Sequence, residues 1–137
     1  MIDYQQLNGT TLAYLGDAVW EVYVRQHLLQ QGLTKVNSLQ RRATYFVSAK
    51  SQAALVALMR ADDYLTADEW DIFRRGRNAK SYTHAKNTSI QTYNISTGFE
   101  AVFGYLQISG QSSRLHELAT WCLNQVEAGR CNAYHFQ

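Results

Sequence analysis

The stretch "AYLGDAVWEVYV", residues 13–24, decides the fold. Leu15, Ala18, Val19 and Val22 return at the three- and four-residue steps of one α-helical face. Strict apolar–polar alternation is sustained nowhere in the chain, so the stretch reads as a buried amphipathic helix and the chain as all-α. Two residues break the pattern. Gly16 costs about 1 kcal/mol in a helix interior, and Asp17, which follows it, is a poor helix-interior residue. A carboxylate in a place that suits Leu or Ala needs a reason.

Working outward, the first helix is expected over residues 10–30, with Thr10 or Thr11 as N-cap and Gly32 as its stop. A second is expected over residues 37–46. A third covers residues 49–60, with Ala53, Val56, Ala57 and then Met59 or Arg60 on successive turns. "TADE", residues 66–69, matches a capping box and opens a short helix through Trp70, Ile72 and Phe73 that ends near Gly76. Further helices are expected over residues 95–108, with Phe99, Val102, Phe103 and Leu106 on one side, and over residues 112–128, stopped by Gly129. No linker, repeat or low-complexity tract interrupts the series, so residues 1–137 read as one domain. The polar connection at residues 77–94 is long for a compact domain, and loops of that length are functional or disordered. It holds Asn78, Lys80, Ser81, Tyr82, Thr83, His84, Lys86 and Asn87, a mixture that suits phosphate and sugar contacts; a mobile surface loop is the alternative.

The chain of 137 residues is 46% apolar and 18% charged, the balance of a globular domain with a real core. No apolar run approaches a membrane span, and the N-terminus lacks a basic region followed by an apolar one. A cytoplasmic protein with no membrane partner is expected. Cys122 and Cys131 fit no metal spacing and read as structural thiols. The net charge is only +2, but it is segregated. No acid lies between Glu21 and Asp62, while Arg25, Lys35, Arg41, Arg42, Lys50 and Arg60 do. None lies between Asp71 and Glu100, while Arg74, Arg75, Arg77, Lys80 and Lys86 do. That distribution suits a polyanion, with an ordinary solvated surface as the alternative.

Asp17 and Glu100 stand out from this distribution. Glu100 lies in "STGFEAVFGYL" among Phe99, Ala101, Val102 and Phe103. Each acid is bordered by apolar residues and lies near a glycine, Gly16 or Gly104, which lets another backbone or a ligand come close. Desolvated lone carboxylates are costly unless protonated or paired. A shared hard divalent cation would resolve that cost, and Mg²⁺ takes oxygen ligands, few carboxylates and several retained waters. The alternative is an acid on the polar edge of its helix or, for Glu100, a partner of a helix N-terminus. Glu21, one turn after Asp17, reads as a neighbouring or surface acid.

"LAYLGDAVWEVYV" resembles the signature helix of the ribonuclease III family, centred on L-G-D with a metal-binding Asp. "FEAVFGYL" resembles the family's second acidic helix, D-x-x-E-A followed by G. "RRATYFVSAKSQAAL" resembles the segment linking them, and "RRGRNAKS" with "KNTSIQTYNISTGFEA" resembles the Mini-III branch. The likeness spans about residues 7–128. The family's acids seven and four residues before the signature Asp fall on Thr10 and Ala13. The Asp three residues before the second-helix Glu falls on Thr97, and the middle-segment Glu falls on Ala54. The positions that keep a carboxylate are Asp17 and Glu100.

The resemblance implies a single-domain helical endonuclease of ribonuclease III type, with no double-stranded RNA-binding domain expected after it. The implied reaction is Mg²⁺-dependent hydrolysis of phosphodiesters in double-stranded RNA. Asp17 and Glu100 are its catalytic, metal-binding acids, with waters and RNA phosphates completing the shell. No organic cofactor and no His or Cys nucleophile is implied. Precursor 23S ribosomal RNA is the implied substrate, in large-subunit maturation. RNA contacts are expected from Arg75, Arg77, Asn78, Lys80, Lys86 and Asn87, with Lys50 and His84 as further candidates. A homodimer is implied, with Trp20, Tyr23 and Val24 of the signature helix as the expected exposed apolar residues at the two-fold axis. The runner-up reading is a non-catalytic RNA-binding scaffold on the same fold.

Overall fold

A computed structural model describes residues 2–79 and 87–137. Its helices are α1 (Gly9–Gln30), α2 (Val36–Val47), α3 (Ala49–Ala61), α4 (Ala67–Arg77), α5 (Ile90–Ile108) and α6 (Ser112–Glu127). Short 3-10 turns at Tyr4–Gln6 and Arg130–Ala133 flank them, and there is no strand among the described residues. Local chemistry sets the ends. The side chain of Asn8, not of Thr10 or Thr11, caps α1 by accepting from the Thr11 amide at 2.8 Å. Ser48 ends α2 and caps α3, its hydroxyl accepting from the Ser51 amide. Thr66 and Glu69 form the expected capping box at α4. Gly129 takes a left-handed backbone just past α6, as its position after the last apolar turn suggests.

α5 begins five residues before its expected start. Its first turns are polar, but their hydroxyl groups are satisfied locally. Ser89 caps the helix through the Thr92 amide, and the Ser96 and Thr97 hydroxyl groups donate to the Tyr93 carbonyl at 2.6 and 3.1 Å. Thr92 and Ser96 are thereby buried in a helix start that shows no apolar period. α5 is the central element. It is buried on several sides, from Phe99 and Ala101 to Leu106, and α1, α3, α4 and α6 all pack against it.

The face of α1 that enters the core is not the expected one. Leu12, Ala13, Gly16, Trp20, Val24 and Leu28 are buried, whereas Ala18 and Val22 are exposed and Leu15 and Val19 only partly covered. The helix carries two apolar stripes, and the intrachain core takes the one containing Trp20. The indole of Trp20 is fully buried, donates to the Phe46 carbonyl at 3.0 Å and lies against the rings of Phe99 and Phe103. Trp20 therefore ties α1 to α2 and α5, and neither it nor Val24 is exposed; Tyr23 alone of the three expected residues stays partly exposed.

A buried ion pair clamps the far end of the domain. Glu69 is 3% exposed and takes two bonds from the Arg114 guanidinium, both at 2.8 Å, besides capping α4 through the Thr66 amide. Burial alone would raise the Glu69 pKa, but the bonds from Arg114 and Thr66 outweigh it and hold the carboxyl below its usual range. Cys122 is fully buried, Cys131 half-buried, and both are free thiols. Among the described residues no helix is long and apolar enough to cross a membrane.

Candidate active site

Gly16 is what α1 needs in order to touch α5. A Cβ built on Gly16 would fall 1.6 Å from the Glu100 carbonyl oxygen, and one on Gly104 would fall 1.9 Å from the Leu12 carbonyl oxygen. Neither contact is possible for any other residue, so main chain meets main chain where the two helices cross. The residue after Gly16 is Asp17, and the α5 residue at the crossing is Glu100. The two acids project from adjoining helices at the contact point, which is why a glycine and a carboxylate interrupt a helix that otherwise suits Leu and Ala.

The pair is electrostatically stressed. Asp17 is exposed, while Glu100 is largely covered. Burial first, then the negative charge of Asp17 beside it, pushes the Glu100 carboxyl up to about 8. Asp17 is close enough to hydrogen-bond the protonated form, and Glu21 adds weaker repulsion. Glu21 itself pairs with Arg25 one turn on, at 3.0 Å. Opposing the upward shift, the Gln52 amide of α3 donates to Glu100 Oε2 at 3.4 Å. Two carboxylates that cannot both be ionised comfortably form a place for positive charge. The donor set is two carboxylates with room for solvent on the Asp17 side, which fits a hard cation that keeps most of its waters. Among the described residues no group of three or more His, Cys, Asp or Glu is arranged to hold a metal ion.

The positions where the family pattern would place further acids are accounted for. Thr10 is exposed, Ala13 and Ala54 are buried, and the Thr97 hydroxyl is turned onto its own helix at the Tyr93 carbonyl. Gln52 is the site residue that sequence reasoning missed. It sits among alanines in "AKSQAAL", and only the approach of α5 gives it a partner.

The candidate RNA contacts separate into groups. The C-terminal end of α4 lies on α5 at Gly76, where a Cβ would meet the Thr97 carbonyl at 2.9 Å and Ala101 Cβ at 2.8 Å. Arg77 and Asn78 follow Gly76 at this end of α4. Arg77 stacks over Phe73 and donates to the Asn78 side chain at 3.1 Å. Arg75 is turned to the N-terminal segment, donating to the Leu7 carbonyl and, at 3.4 Å, to that of Gln5. Asn87 is exposed with a left-handed backbone, φ +63°, which Asn tolerates. Lys80, His84 and Lys86 lie outside the described residues. Lys50 is exposed and lines a separate cleft of about 350 Å³ with Arg42, Tyr45, Asn132, Tyr134 and His135. Helical geometry puts it about 200° around α3 from Gln52, so it is not brought beside Glu100.

Residues 10–111 match the Ribonuclease III domain family. Over 92% of this chain and 96% of its own length, a Mini-ribonuclease 3 from Enterococcus faecalis is 52% identical. One from Streptococcus pneumoniae is 50% identical over 93% of this chain and 99% of its own. A crystal structure of a Fusobacterium nucleatum protein superposes with a TM-score of 0.77 at 25% identity, covering 90% of this chain and 98% of that one. The chain belongs to the ribonuclease III family, in its Mini-ribonuclease 3 branch.

Proposed function

We propose that this protein is a Mg²⁺-dependent endoribonuclease that hydrolyses phosphodiesters in double-stranded RNA, and that its substrate is precursor 23S ribosomal RNA. The observation that carries the reading is the α1–α5 crossing, which leaves Asp17 and Glu100 sharing one place for a cation. Asp17 and Glu100 are the groups that would hold the ion, and Glu100, covered and repelled by Asp17, is ionised readily only when positive charge arrives. When bound, the ion supplies a polarised water nucleophile and neutralises charge developing on the scissile phosphate. Arg77 and Asn78, at the end of α4 that packs on α5, would orient the RNA backbone, with Lys80, Lys86 and His84 following in the chain. A-form RNA is recognised chiefly through phosphates and 2′-hydroxyl groups, which suits such a set.

The enzyme acts as a homodimer in this reading, because one acid pair cuts one strand. Support comes from the second apolar stripe of α1. Leu15, Ala18, Val19 and Val22, with His116 and Thr120 of α6, line an open groove of about 740 Å³. An uncovered apolar stripe of this kind on the signature helix suits a self-complementary contact. The direct test is to incubate the protein with a long RNA duplex with and without Mg²⁺ and to map the product ends. Asp17→Asn and Glu100→Gln are expected to keep the circular dichroism spectrum and lose cleavage. Wild-type rates in either variant would remove the assignment.

A further inference from the structure

Gln52 is 1% exposed on a turn of α3 whose neighbours are Ala53, Leu55 and Val56. Its amide nitrogen reaches two acceptors, the Val47 carbonyl at 3.3 Å and Glu100 Oε2 at 3.4 Å. Neither partner has a proton to give when Glu100 is ionised, so both demand the NH₂ end, and this fixes which way the amide points. The carbonyl oxygen Oε1 is left buried with no partner. A buried acceptor without a donor is destabilising, whereas Leu or Met would fill the same space without one. Packing alone therefore does not account for an amide here; its donor end does.

We infer that Gln52 is a positioning residue for the metal centre. Its NH₂ group ties the Glu100 carboxylate to the last main-chain carbonyl of α2, and so holds Glu100 in the rotamer that faces Asp17. The inference rests on the proposed reading of Asp17 and Glu100 as cation ligands. Glu has three rotatable bonds, and one fixed donor on its carboxylate removes much of the freedom that cation binding would otherwise have to remove.

The test uses RNA-free protein titrated with Mg²⁺, followed by calorimetry and by NMR of side-chain NH₂ groups. In the wild type the Gln52 NH₂ resonances should move with the same midpoint as the calorimetric binding, and Glu100→Gln should abolish both. Gln52→Met should melt at or above the wild-type temperature, bind Mg²⁺ about 10-fold more weakly, and lower kcat while leaving the duplex KM unchanged. A folded Gln52→Met protein with wild-type Mg²⁺ affinity would overturn the inference. So would unmoved Gln52 NH₂ resonances in a wild-type protein that binds Mg²⁺, a result that needs no variant to fold. If wild type and Glu100→Gln bind Mg²⁺ alike, the metal reading of the acid pair fails, and the role of Gln52 falls with it.

Discussion

Glu100→Gln should stabilise the cation-free protein at alkaline pH and do little at pH 5. An ordinary glutamate in the unfolded chain releases its proton near 4.5, while the folded protein holds it to about 8. Between those values the native state carries a proton that the unfolded state has lost. Stability contributed by the protonated carboxyl is complete below 4.5 and drains away as the pH rises to about 8. At about 1.4 kcal/mol per pH unit, the whole window corresponds to at most about 5 kcal/mol. Glutamine keeps the shape and has no charge to bury, so it escapes this loss. For a domain of this size 1 kcal/mol shifts Tm by about 3–5 °C, so even 2 kcal/mol of the effect is readily read. The assay is thermal melting of wild type and Glu100→Gln in chelator from pH 5 to 9. Depressed carboxyl groups such as Glu69 and Glu127 act at lower pH and are common to both proteins, so they cancel in the difference. The Tm advantage of the variant should widen as the pH rises to about 8 and level off above it, and excess Mg²⁺ should raise the wild type most where that advantage is largest. A difference that stays constant across the range would refute the burial of Glu100 and its opposition to Asp17.

The other predictions test packing, assembly and RNA contacts. Gly16→Ala places a methyl group on the Glu100 carbonyl and should cost at least about 3 kcal/mol, at the upper end of point-mutant effects; a chemical denaturation midpoint like that of the wild type would mean that α1 and α5 do not touch at that point. Val19→Asp with Val22→Asp should give a folded monomer in sedimentation, and a persistent dimer would move the interface elsewhere. Arg75→Ala should lower Tm through loss of its bonds to the Leu7 and Gln5 carbonyls, about 1.5–3 kcal/mol for a charged donor, with little change in RNA affinity. Arg77→Ala with Lys80→Ala should do the reverse, keeping Tm and flattening the salt dependence of duplex binding in Ca²⁺ by about one log–log unit per lost contact; an unchanged slope would remove both from the RNA interface.

Much of this molecule is readable in the chain, and the failures share one cause. The helices could be counted because most begin at a capping side chain or stop at a glycine, and Asp17 and Glu100 were visible because they offend their surroundings. What the sequence could not supply was which of two acceptable partners each residue meets. α1 has apolar residues nearly all round, so periodicity alone could not say that Trp20 faces inward and Val22 outward. The start of α5 is polar, and its hydroxyl groups bond to their own backbone, so it carries no periodic signal. Gln52 and Arg114 look like ordinary helix residues until α5 and α4 bring Glu100 and Glu69 to them. Arg75 and Arg77 sit two residues apart with the same charge, yet one braces the N-terminal segment and the other lies over Phe73 and bonds to Asn78.

The contact at Gly16 and Gly104 also fixes how the site behaves in time. Where two helices touch through side chains, small rotamer changes let them slide. Here the carbonyl of one helix rests in the notch of the other, and there is no slack to take up. The acids hang from a rigid joint, so loading a cation should order side chains and leave the backbone as it was. In hydrogen exchange, the amides around Gly16 and Gly104 belong with the last to open, and their protection should hardly change on binding. The site is assembled when the chain folds, and any motion that turnover requires must come from the segments around it.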